Sequence, residues 1–199
     1  MQLIKPLILA SRSPRRIALL RQIGFDPEVV PCDVEETFDH HLSPDDNAIR
    51  LALDKARCTA RTRENALVIG ADTIVVLNGT LLGKPADAAD AHRMLRLLSG
   101  KTHTVHTAFA LVDRPSDLAE VGVESTRVTF RELPDAEIEE YVRGGSPMDK
   151  AGAYGIQDDY GAVFVSRIEG CYYTVVGFPL SRFYITLSDF QHRLKVSHG

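Results

Sequence analysis

Leu7-Ile8-Leu9-Ala10-Ser11-Arg12-Ser13-Pro14-Arg15-Arg16 organises the reading of this chain: an apolar run breaks into a polar turn and then a basic helix start. Ile8 to Ala10 read as a buried strand, Ser13 as an N-cap and Pro14 as the first helical residue. Ile17, Leu20 and Ile23 follow on the inner face, and Gly24 ends the helix. Backbone N–H groups at such a start attract anions, and Arg12, Arg15 and Arg16 can fork onto phosphate oxygens. The same residues also suit a capped surface helix with solvated arginines, so taken alone the stretch leaves both readings open.

Composition narrows the choice. With 199 residues, 44% hydrophobic and 25% charged, the chain can build one substantial core or two small lobes. A net charge of -4 provides no general basic field, which disfavours nucleic acid and leaves room for a small phosphorylated ligand bound locally. The three cysteines, Cys32, Cys58 and Cys171, are scattered and contain no CxxC pair. They argue against a disulfide framework or zinc site and for a reducing cytoplasm. No apolar run approaches the roughly 18 residues of a membrane span, and the short apolar start does not read as a secretion leader.

Pro27 to Pro31 reads as a short strand leading into Asp33-Val34-Glu35-Glu36, and Ser43-Pro44 starts a second helix. On that helix Ala48, Leu51, Ala52, Lys55 and Ala56 share one face, so Lys55 either snorkels past the core edge or points its ammonium into a site. Leu67 to Leu77 is the strongest strand signal, a nearly continuous apolar run interrupted by Asp72. A carboxylate there must emerge at a cleft, meet a cation or bind a metal. Asn78-Gly79 reads as a hairpin turn whose returning arm, Thr80 to Gly83, brings Lys84 back beside the Asp72 region.

Ala86 to Ser99 reads as a helix, Thr102 to Val112 and Glu120 to Phe130 as strands, and Pro134 to Tyr141 as a further helix. His103 and His106 fall on opposite faces of their strand, which removes a chelate and favours structural roles. Ser146 to Gln157 mixes Asp149, Lys150, glycines, Tyr154 and Gln157. Tyr154 can pack on a flat ring, and the Gln157 amide can pair with a base edge. A strand from Ala162 to Ile168 and a helix from Pro179 to His192 complete the pattern.

Carboxylates at Glu35 or Glu36, at Asp72 and at Asp149 stand on separate segments beside Lys55, Lys84, Lys150 and the opening arginines. Acids hold Mg²⁺ and bases hold phosphates, the mixture that hydrolysis of a nucleoside triphosphate requires. Neither GxxxxGK[ST], GxGxxG nor GxSxG occurs, which argues against a P-loop NTPase, a Rossmann dehydrogenase and a serine hydrolase.

Leu9 to Arg16, Gly70-Ala-Asp-Thr73, Gly83-Lys-Pro85, Ser99 to His103, Asp149 to Gln157 and Val175-Val-Gly-Phe-Pro179 together closely resemble the Maf family of nucleoside triphosphate pyrophosphatases. The resemblance covers nearly the whole chain and implies a single domain over residues 1–199. The implied fold is α/β and similar to the inosine triphosphate pyrophosphatases (Maf/Ham1): a long mixed sheet flanked by helices, with two lobes around a cleft. The implied reaction converts a triphosphate and water to the monophosphate and pyrophosphate with a divalent cation, Mg²⁺, Mn²⁺ or Co²⁺, in a homodimer.

By motif, Ser11, Arg12, Ser13, Arg15 and Arg16 would bind the phosphates and Lys55 and Lys84 would contact them. Glu36 and Asp72 would serve the metal and the attacking water, Asp72 as general base, while Thr73, Lys150, Tyr154 and Gln157 would complete the substrate site. Arg15, Thr73 and Gln157 match the branch resembling dTTP and UTP pyrophosphatases; the 7-methyl-GTP branch tends to tryptophan, glutamine and glutamate there. That branch, and a nucleotide-binding regulator of septum formation, are the alternatives. Asp158-Asp159, where glycine is common, and Thr174, where asparagine is frequent, depart from the family pattern.

Overall fold

The computed structural model describes residues 1–157 and 160–197, the Ser197 side chain excepted; Asp158 and Asp159 lie outside the described residues. The chain runs β1 (Leu7–Leu9), α1 (Pro14–Gln22), β2 (Glu28–Val29), α2 (Pro44–Ala60), β3 (Ala66–Leu77), β4 (Thr80–Leu82) and α3 (Ala88–Leu98). It continues through β5 (Thr102–Arg114), β6 (Ala119–Phe130), α4 (Asp135–Arg143), β7 (Val165–Glu169), α5 (Tyr172–Val176) and α6 (Leu180–Ser197). The seven strands form one sheet in the order β2-β1-β3-β5-β6-β7, with β4 paired to β3. It is a mixed sheet: β1 runs parallel to β2 and to β3, whereas β4 opposes β3 and β7 opposes β6. This is the expected α/β class.

Two compact units share the chain. The first comprises residues 1–72, 107–124 and 177 onward, and the second residues 73–106 and 125–176, so the chain changes unit within β3, β5 and β6.

In the first unit the apolar side chains of β1, of the first half of β3 and of the inner face of α2 are buried, and β3 lies against α2 at Gly70. Small residues make that approach close. A Cβ added at Gly70 would overlap the Ala52 carbonyl and stand 2.7 Å from the Ala56 amide nitrogen, so only glycine lets the helix lie on the strand. Phe109, Phe178 and Phe183 complete this core, with ring centroids 4.8 Å apart for the last two. In the second unit Leu95 and Leu98 of α3 and Ile138 of α4 pack with Val105, Phe130, Tyr154 and Phe164.

Several boundaries moved. β1 starts one residue earlier than expected, and the strand expected over Pro27 to Pro31 shrinks to Glu28–Val29. Leu19 is buried beside Leu20 on α1, while Ile17 and Ile23 are half-buried. The third helix begins after Asp87, whose carboxylate accepts the Asp90 amide and fixes the start that Ala86 could not cap. Tyr160 to Phe164 forms a 3-10 turn, so the last strand begins at Val165. The turn at Asn78-Gly79 is as expected: both residues have positive φ, 48° and 80°, and Leu77 pairs with Thr80.

The cysteines require a correction. Cys32, in the loop after β2, and Cys58, on α2, are joined as a disulfide with a Cα separation of 6.0 Å, whereas the scattered spacing argued against one. The two lie 26 residues apart, and no local pattern shows that the loop docks on the helix. The Thr59 hydroxyl, which donates to the Val30 carbonyl at 2.9 Å, marks the same contact.

Candidate active site

Asp72 sits on β3 with 6% of its surface exposed, where an unpaired carboxylate would be costly. Of the three fates open to it, the structure shows a cation: the Lys55 ammonium donates to Asp72 Oδ1 at 2.6 Å. The same nitrogen donates to Glu36 Oε1, also at 2.6 Å. Lys55 stands on the buried face of α2 among Ala48, Leu51, Ala52 and Ala56, so its ammonium points into a site and does not snorkel outward. Its partners here are carboxylates. Burial pushes the Asp72 carboxyl above its ordinary 3.8, against the pull of Lys55 and Arg16.

The opening stretch supplies the second cation. Arg16 on α1 donates through Nε to the Gly177 carbonyl at 3.0 Å and through a terminal nitrogen to Ser11 Oγ at 3.1 Å. Desolvation lowers its pKa from the ordinary guanidinium value, opposed by the neighbouring charge of Asp72, and the guanidinium keeps its charge. Two acids and two bases are thus gathered in one unit, a nearly balanced set that the surrounding core can tolerate.

Ser11, 7% exposed, lies just before the helix start. Ser13 occupies the N-cap position without a side-chain cap bond, and its own amide donates to Ser11 Oγ at 3.2 Å. Arg12 pairs with Asp33 at 2.8 Å, both widely exposed, so this ion pair holds little. Arg15 lies half-buried on α1.

Three further side chains of α2 were not singled out in the sequence. Asn47, 1% exposed, donates to the Asp39 carbonyl and accepts the Asp39 amide, each at 2.9 Å. Arg50 donates to the Thr37 carbonyl, and Thr59 ties down Val30. Together they fasten the loop that carries Glu36, and this fixes which of the two glutamates reaches Lys55. Gly177 was quoted only as part of a motif. Its backbone, at φ 116°, is a conformation that favours glycine, and its carbonyl holds Arg16.

The remaining expected residues belong to the second unit. Thr73 follows Asp72 on β3; the β3–β4 register pairs Val75 with Leu82 and carries Lys84 back along the strand. Lys150 donates to Asp149 Oδ1 at 2.9 Å and to the Ser146 carbonyl, which anchors it within its own loop. The Gly152 amide donates to the Gly83 carbonyl at 3.0 Å, joining that loop to the segment holding Lys84. Gln157 presents a buried Oε1 without a hydrogen-bond partner among the described residues.

Tyr154 corrects the expectation of a stacking platform. It is 6% exposed, its ring packs edge-on against Phe130 at 4.7 Å, and its hydroxyl lies 2.8 Å from His103 Nε2. Its ring and its hydroxyl are packed inside the core, where they support its segment. His103 is buried and His106 half-buried, as opposite strand faces require.

The donor set suits a hard divalent cation. Glu36 and Asp72 bring carboxylate oxygens to one point, and among the described residues no group of three or more His, Cys, Asp or Glu forms a complete cage. One or two carboxylates with substrate phosphates filling the rest is the ordinary way Mg²⁺ is held.

Comparison with known proteins accords with this arrangement. The family model described as "Maf-like protein" matches residues 6–190. The chain belongs to the Maf family. A dTTP/UTP pyrophosphatase of Bacillus cytotoxicus is 49% identical over 187 residues, 94% of this chain and 96% of the relative. Proteins of the same name from Bacillus cereus (strain ATCC 10987 / NRS 248) and Bacillus anthracis are 46% and 45% identical over 196 residues, 98% of this chain in each case and 94% and 100% of the relatives. The Maf motifs at Ser11 to Arg16, Gly70 to Thr73 and Val175 to Pro179 therefore supply Ser11, Arg16, Asp72 and Gly177 to one cluster. Among the described residues no helix is long and apolar enough to cross a membrane.

Proposed function

We propose that this chain hydrolyses dTTP and UTP to the monophosphate and pyrophosphate. The observation that carries the reading is the buried pairing of Lys55 with Asp72, shared at the same ammonium with the more exposed Glu36. Such an arrangement is poor value as a stabilising device, since apolar residues of similar volume would serve as well or better. It makes sense as an assembled acid–base site, and the curated relatives named dTTP/UTP pyrophosphatase give the chemistry that suits it.

In this mechanism Asp72 takes a proton from the water that attacks the triphosphate, and the bond between the α- and β-phosphates breaks to release pyrophosphate. Its raised pKa brings a carboxylate closer to the working pH of a general base. Lys55 fixes the orientation of both carboxylates and supplies positive charge beside the reacting oxygens. Ser11, Ser13, Arg12, Arg15 and Arg16 bind phosphate oxygens, with Lys84 and Lys150 contributing further charge. Glu36 and Asp72 would hold Mg²⁺, Mn²⁺ or Co²⁺, which when bound neutralises negative charge on the phosphates. Thr73 and Gln157 read the base. Cytosine offers a ring acceptor where uracil and thymine offer an N–H, and Gln157 Oε1, without a partner among the described residues, is an acceptor suited to the latter.

We read residues 1–199 as one functional domain, acting in the cytoplasm as a homodimer on free nucleotides and not on nucleic acid. The net charge of -4 supports the last point, and gel filtration tests the dimer. The deciding experiment is a pyrophosphate-release screen over dTTP, UTP, CTP and 7-methyl-GTP with each of the three cations. Turnover highest for dTTP and UTP is expected; a clear preference for 7-methyl-GTP overturns the Arg15, Thr73 and Gln157 argument, and nucleotide binding without pyrophosphate release overturns the enzyme.

A further inference from the structure

His103 is 2% exposed on β5, inside a cluster of aromatic rings. It meets Phe130 edge-on at 5.0 Å and Tyr154 edge-on at 5.4 Å, and Phe130 and Tyr154 meet each other at 4.7 Å. Its only hydrogen bond among the described residues joins Nε2 to the Tyr154 hydroxyl at 2.8 Å, and Nδ1 is buried with no partner. Burial drops the pKa from 6.5 to about 4, so the ring is neutral at physiological pH. A neutral imidazole has one N–H and one lone pair; whichever sits on Nδ1 is left unsatisfied. For stability alone this is a poor arrangement, because replacing both polar partners by apolar rings of similar shape is close to neutral or better.

What the pair does hold is a backbone that would not hold itself. Gly152 and Ala153 both have left-handed φ, 70° and 62°, and the second costs about 1–2 kcal/mol for a residue with a Cβ. Gly152 cannot be enlarged freely, since an added Cβ would stand 3.1 Å from Val75. The Ala153 amide donates locally to the Lys150 carbonyl at 3.1 Å, and three longer-range clamps hold this conformation. The Gly152 amide donates to the Gly83 carbonyl, the Tyr154 hydroxyl meets His103, and the Gly155 amide donates to the Tyr141 hydroxyl at 3.3 Å. Three residues beyond Tyr154 comes Gln157, whose buried Oε1 has no hydrogen-bond partner among the described residues.

We propose that His103 is a positioning residue for base selection: by fixing Tyr154 it sets the segment Gly152 to Gln157, and so the place at which the Gln157 amide meets a pyrimidine. The proposal rests on the dTTP/UTP reading above and extends it to a residue that touches no substrate. Because the lever acts on the base and not on the phosphates, its loss shows in discrimination between UTP and CTP while kcat stays nearly constant. The size follows from one hydrogen bond misplaced, about tenfold in selectivity.

The test compares wild type with Tyr154→Phe, His103→Phe and the double variant. Single variants leave one polar group orphaned and are expected to lose thermal stability; the double variant removes both and is expected to regain it. In the double variant the ratio of kcat/KM for UTP over CTP should fall about tenfold, through KM, with kcat changed less than twofold. Titration calorimetry with UMP and CMP reads the same discrimination as a ratio of Kd values without turnover. A double variant of native stability that keeps the wild-type ratio in both measurements overturns the positioning role. So does a wild type that does not distinguish UMP from CMP. Absence of pyrophosphate release in the wild type would instead defeat the proposed activity, and the calorimetric ratio would still decide the role of His103.

Discussion

The charged cluster of the first unit and the aromatic cluster of the second solve the same problem by opposite means. Each must hold polar side chains within a core. Around Asp72 the solution is mutual neutralisation: two carboxylates on one ammonium, with a guanidinium close by. Around Tyr154 it is removal of charge, with a neutral imidazole on a phenol among edge-on rings. The first arrangement has charge available for chemistry and is vulnerable to loss of any member. The second is electrically quiet and supplies shape.

The sharpest way to break the comparison is at Asp72. Asp72→Asn keeps size and hydrogen-bonding capacity but cannot take a proton, and a loss of about 10²- to 10⁴-fold in kcat is expected for a general base. Circular dichroism should show the fold retained. Turnover that survives the change removes Asp72 from the reaction and makes the cluster merely structural.

Lys55→Met tests neutralisation itself. Removing the shared ammonium leaves Asp72 and Glu36 facing each other, and breaking a buried pair in this way costs about 3–5 kcal/mol. Urea unfolding reads the loss. The same variant removes a cause that lowers the Asp72 pKa, so the acidic limb of the kcat/KM profile should move to higher pH. A limb that stays in place would mean that Asp72 does not control it.

The Cys32–Cys58 bond asks whether the loop carrying Glu36 needs more than Asn47, Arg50 and Thr59 to stay on α2. Closing a loop over a sequence separation of 26 is worth about 3.5 kcal/mol in the chain-entropy model. Cys58→Ser, or reduction of the wild type with dithiothreitol, should lower stability by that order. Equal melting temperatures before and after reduction would show that the bond does not form in solution, which is what a reducing cytoplasm favours.

The contrast also explains what was legible in the sequence. Asp72 announces itself by interrupting an apolar strand, and Lys55 by sitting on an apolar helix face. Charge in an apolar pattern is visible in one dimension. Composition and spacing leave Glu35 and Glu36 open and only the family resemblance picks Glu36, because the contact depends on a loop that Asn47 and Arg50 tie to α2. Tyr154 was assigned to the ligand because an aromatic beside glycines looks the same whether its ring faces a base or a core. His103 read as structural for a sound reason, its strand face, but the phenol it holds lies 51 residues away. The mixed sheet is what the resemblance to the Maf family implies; the disulfide and the bond between Ser11 and Arg16 required a tertiary fold.

The smallest effect is a pH dependence that separates the two clusters. The folded pKa of His103, about 4, lies below the unfolded value of 6.5. Between those values the unfolded chain binds a proton that the folded core refuses. The contribution to stability is therefore complete above pH 6.5 and is lost as pH falls toward 4, at about 1.4 kcal/mol per pH unit. Asp72 works in the other direction. Its folded pKa is raised above 3.8, so its contribution is present below that value and is lost as pH rises through the folded pKa. Denaturant unfolding of wild type and of the His103→Phe/Tyr154→Phe double variant from pH 7 to pH 4.5 isolates the histidine, since all other groups cancel in the difference. Stability of the wild type should fall more steeply than that of the variant. Parallel curves would mean that His103 is protonated in the folded protein, and a charged imidazole would make the second cluster electrostatic like the first.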